Sequence, residues 1–547
     1  MRQRGEPLLS SSSHTNSYQC NRVLSITLLS LATVLGVAAA FLLLVPTGPN
    51  LCAKSPDPSS CQAIVADAIL SSPHAHTSHR TAQQHVLRAI LATSLERHEA
   101  AAEAVAGMRL RSTDPRQRAA LEDCVQLMDL ARDRLADAAA AAGGARDDAR
   151  TWISAVLTDH VTCLDGLDDG TSSSPLRDSV GAHLEPLMSL ASASLAVLSA
   201  GARDVLAEVV DGLPSWVPAR DRTLLEVSGA GAVQANVVVA KDGSGRYKTI
   251  KEAVDAAPDG GKSRYVIYVK KGVYKENLEV GKTKRELMIV GDGMDQTVIT
   301  GSRNVVDGST TFNSATLALS GDGIILQDLK VENTAGPQKQ QAVALRVSAD
   351  RAVINRCRLD GYQDTLYAHQ LRQFYRDCAV SGTVDFVFGN AAAVLQGCVL
   401  TARRPGASQK NAVTAQGRTD PNQNTGTSIH RCRVVPAPDL APVARQFPTF
   451  LGRPWKEYSR TVYMLSYLDA HVDPRGWLEW NGDFALKTLF YGEYQNTGPG
   501  AGTAGRVNWP GYRVITDQNV AMQFTVGQFI QGGNWLKDTG VTYNEGL

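Results

Sequence analysis

The sequence predicts two folded parts, an N-terminal all-α helical bundle followed by an all-β right-handed parallel β-helix. Residues 51–210 are rich in Ala, Leu, Arg and Asp, and their apolar residues recur at helical spacing. After Val237, short runs rich in Val and Ile alternate with Gly, Asn and Asp, a pattern typical of strands joined by turns. This second part also contains a repeat with a period just above 20 residues, which indicates coils that stack as a solenoid.

The N-terminus contains a polar leader and an apolar segment. The leader, residues 1–22, includes Arg2, Arg4 and Arg22, and residues 23–46 carry no charge. The apolar segment is long enough to span a bilayer, and the basic leader places the N-terminus in the cytosol. The length of the leader favours an uncleaved signal anchor over the alternative, a cleaved signal peptide. Either form sends the rest of the chain into the secretory pathway, where disulfides persist.

The helical segment and the linker after it each raise an open question. Four cysteines in residues 51–210 allow three disulfide pairings, which spacing alone does not distinguish. Residues 211–235 form a linker with Pro, Gly and basic residues, in which Arg220 and Arg222 are a candidate site for a secretory-pathway protease. The alternative is an ordinary exposed linker. The four cysteines are Cys52, Cys61, Cys124 and Cys163.

Charge is distributed unevenly along the 547 residues. From Asn236 to the C-terminus there are 36 Lys and Arg against 29 Asp and Glu, whereas the preceding residues carry 19 against 25. The β-rich part is therefore basic, with a net charge of +7, and the rest is acidic. This asymmetry is compatible with an anionic partner for the β-rich part and equally with an ordinary solvated surface.

The repeat in the β-rich part predicts which residues stack on one another. The segments LQDLKVEN, INRCRLDG, YRDCAVSG and LQGCVLTA align, IHRCRVVP aligns more loosely, and their central positions are spaced by 28, 21, 20 and 34 residues. Residues on adjacent coils lie about 4.8 Å apart, within the Cα range of a disulfide. Stacking favours Cys357–Cys378 with Cys398–Cys432, and it also permits Cys378–Cys398. The central positions are Leu329, Cys357, Cys378, Cys398 and Cys432.

Two aspartates inside strand-like sequence point to chemistry. Asp364 and Asp385 lie 21 residues apart in GYQDTLYAHQLRQFYRDCAVSGTVDFVFGN, so one coil would make them neighbours on one face. Two close carboxyls push their pKa values apart, which leaves one ionised as a nucleophile or base and the other protonated as an acid. This division suits the hydrolysis of an ester or a glycoside. The alternative is that both aspartates cap turns.

The blocks GYQDTLY, DFVFGN, LGRPW, GVYKENLEV and FIQGGNWL resemble the signature blocks of plant pectin methylesterases, in the expected order from Val237 to Leu547. The helical segment resembles the pectin methylesterase inhibitor domain that precedes many such enzymes. The resemblance implies a catalytic β-helix over residues 236–547 that hydrolyses methyl esters of galacturonate units in cell-wall pectin and releases methanol. It also implies the disulfides Cys52–Cys61 and Cys124–Cys163.

The resemblance further implies roles for single residues. Asp385 would be the nucleophile, and Asp364 the acid that becomes a base. Gln363 and Gln341 would donate hydrogen bonds to the oxyanion, and Arg453 would hold the carboxylate of Asp385. The residues implied to bind substrate are Thr311, Gln341, Tyr367, Phe388, Arg453 and Trp455.

The position of Gln363 raises a geometric problem. Strict strand alternation points Gln363 to the face opposite Asp364, so the arrangement requires a bend at Gly361 or an irregular coil. His369, in the same block, is expected to be a hydrogen-bonded structural residue.

Other chemistries have little support in the sequence. It contains no G-x-S-x-G, H-E-x-x-H, C-x-x-C or P-loop motif, and we expect no metal or cofactor. The alternatives are a β-helical pectin depolymerase, either hydrolase or lyase, and a non-catalytic pectin-binding or inhibitor protein. The expected partners are pectin, proteinaceous pectinesterase inhibitors and a processing protease, without nucleic acid, and the expected location is the cell wall.

Overall fold

The computed structural model describes residues 50–71, 79–168, 174–200 and 234–547. The predicted leader, the predicted apolar segment and the candidate processing residues Arg220 and Arg222 lie outside the described residues. Leu51–Leu547 form one compact unit, so the helical and β-rich parts pack against each other.

The N-terminal part of the described chain is built from α-helices. Three of them begin with Pro directly after a polar residue, and the side chain of that residue accepts a hydrogen bond from the backbone N–H three positions later. These capping residues are Asp57, Asp114 and Ser174. The helices are α1 (Pro58–Leu70), α2 (His79–Arg111), α3 (Pro115–Ala141), α4 (Arg146–Gly166) and α5 (Pro175–Ser199).

Two disulfides link segments of the bundle. Cys52–Cys61 ties the chain before α1 to that helix, with an S–S distance of 2.00 Å. Cys124–Cys163 joins α3 to α4, with an S–S distance of 2.06 Å. Both pairs implied by the resemblance are confirmed.

Helix α5 is largely buried in the bundle. It is long and apolar enough to cross a membrane, but 61% of its most apolar stretch is buried inside the protein. Its fully buried residues include Val180, Leu184 and Leu195. Its composition is therefore explained by packing against the other helices.

Residues 234–547 wind through three parallel sheets. Within these described residues, all paired strands of each sheet run parallel, and successive strands of the chain pass from one sheet to another. This winding is a parallel β-helix, so the predicted order of a helical bundle followed by a β-helix is confirmed.

The strands of each sheet follow in the order in which they pair. The first sheet contains β1 (Val237–Val239), β2 (Tyr265–Val269), β5 (Leu287–Gly291), β8 (Ile325–Gln327), β11 (Ala352–Asn355), β14 (Arg372–Arg376), β17 (Ala392–Gln396), β20 (Gly426–His430), β23 (Arg460–Met464), β25 (Phe490–Tyr494) and β26 (Tyr512–Val514). The second sheet contains β4 (Leu278–Val280), β7 (Leu317–Leu319), β10 (Leu345–Val347), β13 (Leu366–Ala368), β16 (Val387–Gly389), β19 (Asn411–Gln416) and β22 (Thr449–Gly452). The third sheet contains β3 (Gly272–Lys275), β6 (Thr297–Gly301), β9 (Lys330–Asn333), β12 (Arg358–Asp360), β15 (Ala379–Gly382), β18 (Val399–Ala402), β21 (Arg433–Pro436) and β24 (Tyr467–Leu468).

Stacked apolar side chains fill the interior of the coils. On the first sheet, Ile289, Leu326, Ile354, Tyr375 and Leu395 pair in register on successive strands, and all are fully buried. Three short helices flank the coils, and the last two pack against the outer face of the first sheet. They are α6 (Ile250–Asp255), α7 (Gln518–Met522) and α8 (Val526–Phe529).

The sequence repeat corresponds to one corner of the coil. The residues directly after its central positions pair in register along the third sheet. The residue before each central position adopts a left-handed backbone conformation, with φ between 48° and 69°. Each repeat therefore marks the turn between the first and the third sheet. These left-handed residues are Asp328, Arg356, Asp377, Gly397 and Arg431.

The predicted disulfides inside the β-helix are wrong. Cys357, Cys378, Cys398 and Cys432 are buried free thiols, so neither Cys357–Cys378 with Cys398–Cys432 nor the alternative Cys378–Cys398 forms. Side chains in register on parallel strands point the same way and stay about 4.8 Å apart, whereas the Cβ atoms of a disulfide approach to roughly 3.5–4.5 Å. The thiols donate to backbone carbonyls instead, as Cys432 Sγ does to Leu395 O at 3.2 Å.

Candidate active site

The coil register brings Asp364 and Asp385 to equivalent positions. Leu366 of β13 pairs in register with Val387 of β16. Asp364 lies two residues before Leu366, and Asp385 lies two residues before Val387. The backbone N–H of Asp364 donates to Val384 O at 3.1 Å. The two aspartates are 6% and 5% exposed. They are therefore buried acids on adjacent coils, about one strand spacing of 4.8 Å apart.

A left-handed backbone explains why neighbouring residues share one face. Asp364 has φ of 65° and Asp385 has φ of 53°. This conformation interrupts the extended alternation, so Gln363 and Asp364 both line the same cleft. The irregular coil is thus located at Asp364 itself, since Gly361 is not among the residues with positive φ.

Arg453 binds one of the two aspartates. Its Nε donates to Asp385 Oδ1 at 2.8 Å and its Nη2 donates to Asp385 Oδ2 at 2.6 Å. Such a two-point contact is the one that the planar guanidinium group is shaped to make with a carboxylate. The same guanidinium lies over the ring of Trp480, with 4.3 Å between its central carbon and the ring centroid. Within the described residues, no side chain donates a comparable hydrogen bond to Asp364.

The two carboxyls consequently differ in acidity. Burial raises the pKa of Asp364 well above its ordinary value, and the neighbouring charge of Asp385 raises it further. Burial also raises the pKa of Asp385, but the hydrogen bonds and charge of Arg453 oppose that rise. At pH values between the pKa of Asp385 and the pKa of Asp364, Asp385 is ionised while Asp364 keeps its proton.

Two amide side chains line the cleft beside the aspartates. Gln341 and Gln363 both face it. The buried Oε1 of Gln341 has no hydrogen-bond partner within the described chain. An amide side chain next to a buried carboxyl pair can hydrogen-bond a bound ligand.

Aromatic rings and one threonine complete the predicted substrate contacts. Tyr367 stacks on Phe388 with 4.2 Å between ring centroids, and Trp455 meets Phe388 edge to face at 5.9 Å. Thr311 lines the same cleft, directly before the short 3₁₀ helix Phe312–Ser314. The structure therefore brings together all the site residues that the sequence predicts, in a cleft of about 940 Å³.

The helical bundle covers this cleft. Residues of α3 and α4 form part of its wall, and the bundle core is continuous with the outer face of the second sheet. Lys456 Nζ binds Asp165 of α4 at 2.6 Å, and Thr162 of α4 is hydrogen-bonded to His369 at 3.0 Å. Under this cover Tyr367 is only 2% exposed. The sequence does not predict that the bundle lies over the site.

His369 is a buried part of this contact. Its Nδ1 is hydrogen-bonded to Ser348 at 2.9 Å and its Nε2 to Thr162. Burial and the nearby charge of Arg346 hold its pKa well below the ordinary value. The neutral, hydrogen-bonded state agrees with the structural role expected from the sequence.

Several residues of the cleft escape sequence reasoning. Arg346, Phe312 and Asp123 lie close together beside the predicted site. Arg346 leaves a signal, because it is the one charged residue in the apolar run AVALRV. Asp123 leaves none, since a polar residue in an amphipathic helix is ordinarily read as solvent-exposed.

A buried aspartate pair that one arginine makes unequal, set on a parallel β-helix, is an arrangement suited to a hydrolase. The comparisons with known proteins narrow this class. The chain belongs to the pectinesterase family: the Pectinesterase family model matches residues 236–533, and the Plant invertase/pectin methylesterase inhibitor model matches residues 49–197. It is therefore a carboxylic ester hydrolase, and the resemblance seen in the sequence is confirmed.

Similar proteins share both the sequence and the fold. Pectinesterase 2.1 of Solanum lycopersicum is 54% identical over 505 residues, covering 91% of this chain and 90% of that protein. Pectinesterase/pectinesterase inhibitor 18 of Arabidopsis thaliana is 50% identical over 541 residues, covering 95% of this chain and 96% of that protein. The solved pectin methylesterase from carrot is 58% identical with a TM-score of 0.57, and 58% of this chain covers 99% of it. The carrot protein thus corresponds to the β-helical part alone.

Proposed function

We propose that this enzyme hydrolyses the methyl esters of galacturonate units in cell-wall pectin, with Asp385 as nucleophile and Asp364 as acid and base. The observation that carries the proposal is the inequality of the two buried carboxyls. Arg453 binds Asp385 at two points, whereas Asp364 has no cationic partner of its own in the described chain. An ionised carboxylate beside a protonated one is what a two-step ester hydrolysis needs.

The first step forms an acyl-enzyme. The carboxylate of Asp385 attacks the carbonyl carbon of the ester, and the carbonyl oxygen becomes an oxyanion. The amide groups of Gln341 and Gln363 donate to this oxyanion, a contribution typically of about 2.7–4 kcal/mol for each donor. The C–O bond to the methoxy group then breaks, Asp364 gives its proton to the methoxy oxygen, and methanol leaves.

The second step regenerates both carboxyls. Asp364, now ionised, takes a proton from a water molecule whose oxygen attacks the carbonyl carbon of the mixed anhydride. The bond to Asp385 breaks, which releases the galacturonate unit as its free acid and restores the carboxylate of Asp385. The released acid then loses its proton to solvent. Asp364 is protonated again, so protons balance over the cycle with water consumed and methanol and acid produced.

The cleft supplies surfaces for the sugar chain. Tyr367, Phe388 and Trp455 form a continuous aromatic floor, and sugar rings have apolar faces that pack on such surfaces. Arg453 and Thr311 provide polar contacts at the edges of this floor. The substrate class is supported by the family and by the names of the relatives.

The N-terminal parts fit delivery to the cell wall as a precursor. We infer that the apolar segment directs the chain into the secretory pathway as a membrane anchor, and that a protease cuts near Arg220 and Arg222. The helical bundle would then be a pro-region, and separate proteinaceous inhibitors could bind the released enzyme. The support is the inhibitor-family match of residues 49–197. N-terminal sequencing of the secreted protein tests this, and a mature start upstream of residue 215 would contradict it.

Replacement of the nucleophile tests the mechanism. The catalytic part, residues 226–547, is suited to the assay because the carrot protein is a folded counterpart of it. We expect Asp385→Asn to lower methanol release from methylated pectin by at least 1,000-fold, of the order found for lost nucleophiles. Asp377→Asn is the matched control, since Asp377 also has a left-handed backbone (φ of 51°) but lies outside the cleft. Methanol release by the D385N variant at the wild-type rate would overturn the mechanism.

A further inference from the structure

A buried cation lies against Phe312, one of the residues that line the cleft. Arg346 is 1% exposed and pairs in register with Tyr367 of the next coil. Its guanidinium stacks on Phe312, with 3.4 Å between its central carbon and the ring centroid. Its closest carboxylate oxygen, on Glu279, is 3.9 Å away, and its Nη1 donates one long hydrogen bond to the Ser348 hydroxyl at 3.4 Å. Its Nε has no partner within the described chain. A buried charge with so little compensation is costly, which suggests that its contacts are completed by a ligand.

One carboxyl of the helical bundle reaches the same place. Asp123 of α3 is 2% exposed and accepts hydrogen bonds from the hydroxyl of Thr310 and the side-chain amide of Asn313. Thr310 and Asn313 are held together by a hydrogen bond from the backbone N–H of Asn313 to the Thr310 hydroxyl, 3.0 Å long. The charge of Arg346 also acts on Asp123.

The chemistry of these groups selects a carboxylate. The hydroxyl of Thr310 and the amide of Asn313 donate to the carboxyl of Asp123, and the positive charge of Arg346 acts on the same carboxyl without contacting it. All three belong to the β-helical part and line or adjoin the cleft. They remain on the enzyme when Asp123 is removed with the bundle. De-esterified pectin carries one free carboxylate on each galacturonate unit, so it offers the complementary group.

We propose that Thr310, Asn313 and Arg346 form a subsite for the free carboxylate of a de-esterified galacturonate unit, and that Asp123 occupies this subsite in the full chain. This inference rests on the proposed function. Arg346 lies one coil from Tyr367, so the subsite is roughly 5–10 Å from the aspartate pair along the stack. The bound carboxylate therefore belongs to a unit other than the one whose ester is cleaved.

The subsite gives the enzyme a preference for partly de-esterified pectin. A free carboxylate on one unit would hold the chain while an ester on a nearby unit reacts. The helical bundle blocks this contact by presenting a carboxyl of its own. The pKa of Asp123 is raised to about 7 because the bundle buries it. A substrate carboxylate in the open cleft stays in contact with water and remains ionised.

Binding of a non-reactive ligand tests the subsite separately from catalysis. The probe is a fully de-esterified galacturonate hexamer, titrated calorimetrically into the catalytic part, residues 226–547. We expect Arg346→Met to bind it at least 10-fold more weakly than wild type, and Arg346→Lys to recover part of the loss. Asn313→Ala, on the loop, should weaken binding several-fold and serves if the arginine variants do not fold. Binding within twofold of wild type by folded R346M or N313A would overturn the subsite.

The role of Asp123 is tested in the full chain with the same hexamer. We expect the wild-type full chain to bind it at least 10-fold more weakly than the catalytic part does, and Asp123→Ala to bind it more tightly than the wild-type full chain. Glu122→Ala is the matched control, because Glu122 is half exposed and pairs with Arg109 inside the bundle. Equal binding by the D123A and E122A chains would show that Asp123 does not occupy the subsite. The two proposals fail separately because the hexamer has no ester. A catalytic part that binds the hexamer but releases no methanol from methylated pectin would refute the proposed function and not the subsite.

Discussion

Arg453 donates a hydrogen bond to each carboxylate oxygen of Asp385, at 2.8 Å to Oδ1 and 2.6 Å to Oδ2. Asp364, one coil away, receives no such contact from a side chain of the described residues. The asymmetry is electrostatic and local. The hydrogen bonds and charge of Arg453 oppose the rise that burial causes in the pKa of Asp385, whereas burial and the charge of Asp385 both raise the pKa of Asp364.

Removal of that guanidinium should change both rate and pH dependence. In Arg453→Met, burial would raise the pKa of Asp385 without opposition, so less nucleophile is ionised near neutral pH. We expect kcat/KM on methylated pectin to fall by about 100-fold or more, with the acidic limb of its pH profile moved to higher pH. Arg475→Met is the matched control, since Arg475 is half exposed and its ion pair within the described residues is with Asp473. An unshifted acidic limb in R453M would contradict the assignment.

The catalytic part should show a bell-shaped pH profile. Activity rises as Asp385 ionises and falls as pH passes the pKa of Asp364, which burial and the charge of Asp385 raise well above its ordinary value. The fall on the alkaline side follows because the acid that protonates methanol is then lost. In Asp364→Asn, we expect a rate about 100- to 10,000-fold lower and no alkaline limb from this group. An unchanged alkaline limb in D364N would assign that limb to another residue.

Covering of the cleft by the bundle should weaken as pH rises. The pKa of Asp123 goes from 3.8 in water to about 7 in the covered state, so the covered state holds a proton that the open state lacks between these values. Between these pH values, each pH unit lowers the equilibrium constant for covering the cleft by up to about tenfold. Outside this range the contribution of Asp123 to that constant does not change with pH. The fully buried Asp159 acts in the same direction, because its pKa is also raised well above the ordinary value.

The groups around these acids define the control for that measurement. Arg346 and Glu279 face Asp123 from the β-helix, and Arg346 also acts on Asp159, as does Arg134. We expect the ratio of full-chain to catalytic-part activity to increase from pH 4 to pH 7, a ratio in which the pH dependence of catalysis cancels. Asp123→Asn should flatten the increase, whereas Glu122→Gln should not. A ratio independent of pH would rule out this coupling.

Reducing agents should act on one part of the chain only. The Cys124–Cys163 disulfide closes a 39-residue separation, which corresponds to about 3–4 kcal/mol of stability. We expect dithiothreitol to lower the melting temperature of the bundle and to leave the catalytic part unchanged. Thiol labelling of the unfolded catalytic part should give four free cysteines without prior reduction. Two or fewer labelled thiols would mean that a bond forms between coils.

The sequence repeat predicted much of the site because, in stacked coils, the spacing of two residues along the sequence determines whether they lie side by side. An offset of 21 residues is enough to place Asp364 beside Asp385, and the register of β13 with β16 follows it. The same rule failed for the cysteines. It gives the separation of backbones but not the direction of side chains. Each thiol donates to a carbonyl of the preceding coil, Cys357 Sγ to Leu326 O and Cys378 Sγ to Ile354 O.

Contacts between the two parts could not be predicted from either part alone. Asp123 lies on a helix and Arg346 on a strand more than 200 residues later, and no periodicity connects them. Their proximity depends on how the bundle docks on the second sheet. The left-handed conformation of Asp364 is likewise a property of the folded coil.

The 21-residue spacing between the two aspartates has a consequence for how the solenoid can change. Other coils in the repeat differ in length, and those with spacings of 28 and 34 residues carry extra residues that leave the stack as loops. Between Asp364 and Asp385 a shift of one residue would move one carboxyl off the shared corner. Loop insertions can therefore lengthen the coils elsewhere, whereas the length of the chain between these two residues fixes the separation of the two carboxyls.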